Sequence, residues 1–355
     1  MTLPKPATES DSGSNTKLAD VARIAGVSIS TASRALSRPE MVSEETREDV
    51  LKAAKSVGYH PNLIARSLRT QSTNTVFVLL PSLASPFYAE IIRGLDWAAH
   101  ERGYALMLGL TGSDPVRQES YIDIAQRQRT DGLVVLDISL SHLLSTRGGL
   151  RLPAVQVLER EAGSANPSVT INEAAAAEMM TRHLIELGHR RVAHITGSEM
   201  STIAALRLTG YRNALDAYSL PVCEDLTVTG NFQASGGRAA MTKLLALSEP
   251  PTAVFCANDE TALGAMALAI ELGLDVPGDI SITGFDDIEQ SSQSAPPLTT
   301  IRQPRFDIGA TAMSLLLDWI GGKARSALHV TLPVELVLRD SSAPPKLRNA
   351  SRPSH

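Results

Sequence analysis

From residue 75 onward the chain alternates two patterns. Short strand-like runs at 76–80, 104–109, 132–136 and 154–158, the last broken only by Gln156, are separated by longer stretches, 86–102 and 115–129, whose apolar residues recur at helical spacing. Near Glu173 the rhythm restarts, with helical patterns at 173–187, 204–218, 233–247, 259–272 and 306–320 and strand-like runs at 192–196, 226–229, 253–256, 280–283 and 329–337. Apolar runs of strand length without polar alternation fit strands buried on both faces, and their alternation with helices predicts parallel sheets covered on both sides. Two such blocks in tandem predict an α/β body of two doubly wound lobes with a cleft between them. Ligands in such sheets lie beyond the carboxyl ends of the strands. Polar and aromatic residues just past the strands are therefore cleft candidates: Phe87, Tyr88, Asp137, Asn258, Asp259, Asp286 and Asp287.

Three short helical patterns precede the body. The first begins at Leu18 and ends at Gly26, where glycine takes left-handed backbone angles without steric cost. Ser28 stands where an N-cap would open the second helix, which then shows Ser30, Thr31, Ser33 and Arg34 to the outside. Ala19, Ala22, Ala25, Val27 and Ala32 are expected to keep the two helices close. A third helix opens at Ser43 with Glu44 and Glu45 in its first turn, buries Val50, Leu51, Ala54 and Val57, and closes at Gly58. A small helix with a polar outer face suits a DNA major groove; a buried helical hairpin in an ordinary core is the competing reading. After Pro61, residues 62–70 have helical propensity for about two turns, a length that is ordered only when something packs against it.

Charge and composition sharpen this picture. The net charge of −5 argues against a nucleic-acid binder, but it is unevenly spread: residues 16–70 carry nine Lys/Arg and six Asp/Glu, and residues 71–355 carry 23 and 30. A modestly basic front on an acidic body fits a DNA-binding head whose body is kept off phosphate. No apolar run is long enough for a membrane span. The Pro-, Ser- and Thr-rich segment 1–15 has no apolar signal core, and two cysteines, Cys223 and Cys256, form no disulfide framework. A cytoplasmic protein is expected, with disordered tails at 1–15 and 342–355. His183, His189 and His194 match no standard metal-ligand spacing. No nucleophile elbow, phosphate-cradling glycine loop or metal-binding cysteine pair is present, so neither metal nor cofactor is expected.

Specific motifs then point to a family. Asp20-Val-Ala, Ala25-Gly-Val-Ser28, Thr31-x-Ser-Arg34, Gly58-Tyr59-x-Pro-Asn62 and Ala65-Arg-Ser-Leu68 in the front, and Pro86-Phe-Tyr-Ala-Glu-Ile91, Arg207-x-x-Gly-Tyr211, Ala257-Asn-Asp259, Gly284-Phe-Asp286 and Pro297-Leu-Thr-Thr-Ile301 in the body, resemble the lactose/galactose-repressor family of bacterial transcription regulators. Stretches such as Glu90-Ile-Ile-Arg-Gly94 and Pro251-Thr-Ala-Val-Phe-Cys256 are most similar to a nucleoside-responsive member. The resemblance implies a helix-turn-helix head at 16–61, a hinge helix and linker at 62–73, and an effector-binding and dimerisation body at 74–341. Lobe one would be 74–171 plus 303–328, and lobe two 172–302 plus 329–341.

The resemblance also implies roles. Ile29, Ser30 and Arg34 match positions that reach base edges, and Ser28, Thr31 and Ser33 positions that hold phosphate or cap the helix. Leu68 matches a minor-groove wedge; Asn62, Ala65, Arg66 and Arg69 flank it on the hinge. Arg207 and Asp286 match a ligand-gripping pair, with Phe87, Tyr88 and Phe232 as apolar walls and Asp137, Ser201 and Asn258 as polar lining. Ser201 and Ile203 stand where purine-responsive members use polar or charged groups, which argues against a purine base. The expected partners are double-stranded operator DNA, a nucleoside or sugar effector and a second copy of the chain, with no membrane. A solute-binding protein would account for the body but not the head; an enzyme would need a reactive pair in the cleft, for which Asp286 and Asp287 are the best residues available.

Overall fold

The computed structural model describes residues 17–38, 41–59, 72–112, 114–138, 152–160, 166–323 and 329–346. The chain divides between Thr73 and Asn74 into two compact units.

In the first unit, α1 (Leu18–Ile24), α2 (Ile29–Ser37) and α3 (Glu44–Ser56) pack around Val21, Ala22, Ala32, Ala35, Val50, Ala53 and Ala54. Gly26 has φ +66° and Gly58 φ +62°, so both helix exits use the left-handed conformation anticipated for them. The Ser28 hydroxyl accepts from the Thr31 N–H at 3.1 Å, and that of Ser43 from the Thr46 N–H at 3.3 Å. At the start of α1, where Lys17 offers no capping oxygen, the Asp20 carboxylate accepts from the Lys17 N–H at 3.1 Å instead. The face of α3 differs from expectation by one position: Ala53 is buried and Leu51 is 46% exposed. Ala19 is also exposed, so the helices approach through Ala22 and Ala32.

In the second unit, lobe one is a six-stranded parallel sheet. Its strands are β1 (Thr75–Leu80), β2 (Ala105–Leu110), β3 (Gly132–Leu136), β4 (Ala154–Val157), β5 (Ser168–Ile171) and β11 (His329–Leu332), in the order β11-β5-β4-β3-β1-β2. One face is covered by α4 (Pro86–His100) and α11 (Arg305–Ile320), the other by α5 (Pro115–Arg127). Helices α4 and α11 meet backbone to backbone. A Cβ at Gly94 would lie 2.0 Å from the Phe306 carbonyl oxygen, and one at Gly309 would lie 2.0 Å from that of Ile91.

Lobe two is a four-stranded parallel sheet, β7-β6-β8-β9, from β6 (Val192–Thr196), β7 (Thr227–Thr229), β8 (Ala253–Cys256) and β9 (Ser281–Thr283). α6 (Glu173–Glu186) and α7 (Thr202–Ala217) pack on one face, and α8 (Ala234–Leu245) and α9 (Asp259–Glu271) on the other. A short helix, α10 (Glu289–Gln293), leads to β10 (Thr300–Arg302), which pairs antiparallel with β12 (Glu335–Val337).

Three expectations need correction. The single strand expected at 329–337 is two, because Pro333 has no N–H to continue a ladder. Its first half, β11, pairs with β5 and belongs to lobe one, so the third crossing falls at 333–334 and not near His329. Residues 342–346 are not a free tail: the Ala343 N–H donates to Ser281 Oγ at 3.1 Å, its carbonyl accepts from His189 Nε2 at 2.9 Å, and Lys346 Nζ donates to Asp279 at 3.0 Å. The chain therefore crosses between lobes at Asn172, at 303–304 and at 333–334. Ile171 is paired with Leu332, and Arg302 with Glu335, so the three crossings run side by side.

Candidate effector cleft and DNA-reading helix

In the head, the N-cap at Ser28 starts α2 so that its first turn faces outward. Ile29 is 55% exposed, which rules out the core reading for it; Ser28, Ser30 and Arg34 are exposed, and Thr31 and Ser33 are half-buried. The Ser28 hydroxyl is committed to the cap and lies 2.8 Å from both Ser30 Oγ and Thr31 Oγ1. Arg34 Nε donates to the Ser30 carbonyl at 3.2 Å, which steers the exposed guanidinium along the outer face of the helix. A forked donor beside an exposed branched apolar side chain is suited to guanine edges and thymine methyls. Asn62, Ala65, Arg66, Leu68 and Arg69 lie outside the described residues.

In the body, a cavity of about 1040 Å³ opens between the lobes. All eight residues expected to bind an effector line it: Phe87, Tyr88 and Asp137 from lobe one, and Ser201, Arg207, Phe232, Asn258 and Asp286 from lobe two. Ser201 caps α7, its hydroxyl accepting from the Ala204 N–H at 3.2 Å, and thereby aims Arg207 inward from the second turn. The Arg207 guanidinium is 3% exposed. Its Nε donates to Glu173 Oε2 at 2.7 Å, Nη1 donates to the Ala257 carbonyl at 2.5 Å, Nη1 lies 3.8 Å from Asp286 Oδ1, and the group stacks 3.6 Å over the Phe285 ring. Burial by itself would lower its pKa, but Glu173 and Asp286 outweigh that and raise it.

Asp286 sits at φ +114° and accepts from Gln303 Nε2 at 2.7 Å. Burial pushes its pKa well up, against the pull of Arg207. Asp137, at φ +51°, accepts from the Tyr88 hydroxyl at 3.1 Å; burial, and then the charge of Glu159, push it up to about 6. Phe232 is at φ +62°. Backbone in this region costs a non-glycine residue of order 1–3 kcal/mol and persists only where the surroundings over-determine it, a pattern typical of binding sites. The Phe232 ring lies against Gly197, where a Cβ would come within 2.0 Å of the ring, so only glycine admits that wall of the cleft.

Not every residue past a strand serves the cleft. Asn258 lines it but spends both amide functions within the protein: Oδ1 accepts from the Thr261 N–H at 3.0 Å, and Nδ2 donates to the Phe232 carbonyl at 2.9 Å. Asp259 neither caps α9 nor faces the cleft. It is a buried hub accepting from Ser291 Oγ and Thr300 Oγ1, both at 2.6 Å, and from the Ile288 N–H at 2.9 Å. Asp287 turns away to Arg302 and Arg339, so Asp286 and Asp287 are not a reactive pair. The histidines are structural: His183 and His189 hold the segment 342–343, and His194 is stacked between Tyr211 and Phe255.

Sequence reasoning missed Glu173, which lies at the mouth of β5, where Ser168 and Thr170 break up any apolar run. It also missed Glu159, past the end of β4, and Glu260, which accepts from Ser85 Oγ at 2.5 Å across the lobes. Among the described residues, no group of three His, Cys, Asp or Glu is arranged to hold a metal, and no helix is long and apolar enough to cross a membrane.

Comparison with known proteins agrees with this arrangement. The profile of bacterial regulatory proteins of the lacI family matches residues 17–62, and that of the periplasmic binding protein-like domain matches 181–342. The HTH-type transcriptional repressor CytR of Escherichia coli (strain K12) is 38% identical over 324 residues, covering 91% of this chain and 95% of that protein. The lac repressor dimer bound to operator and an anti-inducer superposes with a TM-score of 0.84 at 30% identity, covering 92% of this chain and 99% of that one. The complex of the transcriptional regulator CelR with cellobiose superposes at 0.71 with 32% identity, covering 92% of this chain and 100% of that one. With a head and a body that both align over nearly their full length, the chain belongs to the LacI family of bacterial regulatory proteins.

Proposed function

We propose that Ile29, Ser30 and Arg34 read operator base edges, that Ser28, Thr31 and Ser33 position the phosphate backbone, and that a nucleoside or sugar held between the lobes lowers operator affinity. The chain is a ligand-responsive, DNA-binding transcriptional repressor and not an enzyme; it works as a dimer, each head reading half of a roughly palindromic operator. The observation that carries the finer reading is the union, in one chain, of a capped helix exposing Ile29 and Arg34 with a cleft built on Arg207 and Asp286. The lac repressor relative bound to operator, and CelR with cellobiose, support the two halves of it. A protein whose target is DNA belongs in the cytoplasm.

In this reading, effector closes the lobes, and the closure separates the two copies of segment 62–70. A coupling of about 1–3 kcal/mol between cleft and operator is sufficient. The test is fluorescence anisotropy of labelled operator, titrated with the full chain in the presence of nucleosides, pentoses and hexoses. A compound that stabilises the protein thermally while leaving operator affinity unchanged would refute the coupling.

Two substitutions separate the parts. Arg34→Ala should weaken operator binding by about 1–3 kcal/mol and flatten discrimination at one base pair per half-site, whereas loss of a phosphate contact would weaken all sequences alike. Leu68→Ser should reduce operator affinity, because unstacking a base step costs a few kcal/mol that only an apolar wedge offsets, and should leave effector affinity intact by calorimetry. Unaltered operator binding by Leu68→Ser would remove the wedge from the account.

A further inference from the structure

The cleft is built for one sign of charge. Among the described residues, its lining holds five carboxylates, Asp137, Glu159, Glu173, Glu260 and Asp286, against a single guanidinium, Arg207. Arg207 is already engaged by Glu173 and Asp286, and Glu260 by Ser85. Glu173 Oε1 has no hydrogen-bond partner although the residue is only 3% exposed and lines the cavity. A buried carboxyl oxygen without a donor costs free energy, and an incoming donor removes that cost. On the lobe-one side, Asp137 has the Tyr88 hydroxyl as its donor, with Glu159 and Glu173 close enough to act on it electrostatically. No cation answers this surplus from the described part of the wall.

Resting on the reading of this cavity as the effector site, we propose that the effector presents a protonated amine, alongside hydroxyls, to the wall formed by Asp137, Glu159 and Glu173, and carries no anionic group. The ammonium supplies the donors that Glu173 Oε1 lacks and the charge that the carboxylates leave uncompensated; hydroxyls serve Asp286 and the Arg207 edge. A phosphate or carboxylate would be driven into a field of its own sign, beside the buried carboxylates Asp137 and Glu173. The effector class is therefore an amino sugar or amino-substituted nucleoside, and phosphate esters and sugar acids are rejected.

The test uses the full chain freed of small molecules by dialysis. Two matched sets are titrated by calorimetry: glucose, glucosamine and glucose 6-phosphate; and uridine, 5′-amino-5′-deoxyuridine and uridine 5′-monophosphate. The amine is expected to bind at least tenfold more tightly than its hydroxyl parent, and the phosphate ester not at all. In Asp137→Asn, which keeps an acceptor for Tyr88, the amine preference should fall to about threefold or less. Equal affinity for amine and parent, binding of a phosphate ester as tight as that of its parent, or an amine preference unaltered by Asp137→Asn overturns the proposal.

A second readout needs no ligand. If the wall carries surplus negative charge, Asp137→Asn should raise the melting temperature of the empty protein by about 2–4 °C. A carboxylate whose folded pKa stands above its unfolded value penalises folding above the folded value and not below the unfolded one. The gain should therefore be full at pH 8 and fade between pH 6 and 4. Burial is the first cause of this shift; of the charged and titratable groups facing Asp137, Glu159 and Glu173 add to it, and the Tyr88 hydroxyl and Arg207 oppose it. Should none of the six compounds bind, the proposal is overturned, whatever the melting temperature. The repressor reading fails on a different result: a cleft-bound compound that leaves operator affinity untouched.

Discussion

Arg207→Ala is expected to lower the melting temperature of the body severely and to abolish its response to effector. The guanidinium joins groups from separate elements: Glu173 at the start of α6, the Ala257 carbonyl after β8, Asp286 after β9, and the Phe285 ring. Removing it leaves two buried carboxylates without their counter-charge, a change that typically costs about 3–5 kcal/mol. The loss has a pH signature. Burial already holds Asp286 well above the usual carboxylate range, with Arg207 the main opposing influence, so the variant drives it higher still. Because a raised carboxylate penalises the folded state only while it is ionised, the deficit should be greatest above neutral pH and shrink as pH falls toward 4. The double substitution Arg207→Met, Glu173→Gln should recover much of the stability and none of the effector response. Thermal melts across pH, with anisotropy on labelled operator below each melting point, read both effects; a single variant as stable as the parent at pH 8 would contradict the buried array.

Gly94→Val should unfold lobe one or leave it unable to hold α11. At this crossing the new Cβ would stand 2.0 Å from the Phe306 carbonyl oxygen and 2.9 Å from the Ala310 nitrogen, and both obstacles are backbone. No rotamer change relieves such a clash; the two helices must separate, opening the layer of Ile91, Leu95, Ile308 and Ala312 beneath them. Overpacking a core usually costs 1–3 kcal/mol, and here the displaced unit is a whole helix, so a loss of about 3 kcal/mol or more is expected. Gly309→Val should do the same from the other side, since its Cβ would meet the Ile91 carbonyl at 2.0 Å. Urea unfolding followed by circular dichroism measures the deficit. The helix-propensity gain on replacing glycine, less than about 1 kcal/mol, is too small to hide it.

The elements that could be read from the chain share a physical property: they bury their apolar residues locally and repeat them. β1, β3 and β8 are unbroken apolar runs, and the caps at Ser28 and Ser43 declare themselves by a hydroxyl before a helical pattern. β5 and β10 were not legible, because Ser-Val-Thr-Ile and Thr-Ile-Arg hold no apolar run and their strand character comes from the neighbours they pair with. That omission had a chemical consequence. Without β5, Glu173 is merely an acidic residue in the first turn of a helix; with it, Glu173 lies just past a strand, where cleft residues gather. The roles of Asn258 and Asp259 were illegible for another reason. Both follow β8, and only the folded chain shows that one side chain caps a helix and braces Phe232 while its neighbour fastens α10 and β10.

The side-by-side passage of the chain at residues 172, 303–304 and 333–334 constrains how the molecule can move. Three parallel straps form a flexure: they bend readily about the line on which they lie, whereas lateral sliding or twisting would stretch or shear all of them together. Any compound that touches both walls must therefore deliver its binding work along one coordinate, whatever its own outline. Under the proposed mechanism, detection and transmission become separable parts, and the wall residues can be exchanged for a new chemical signal while the same bend carries the message.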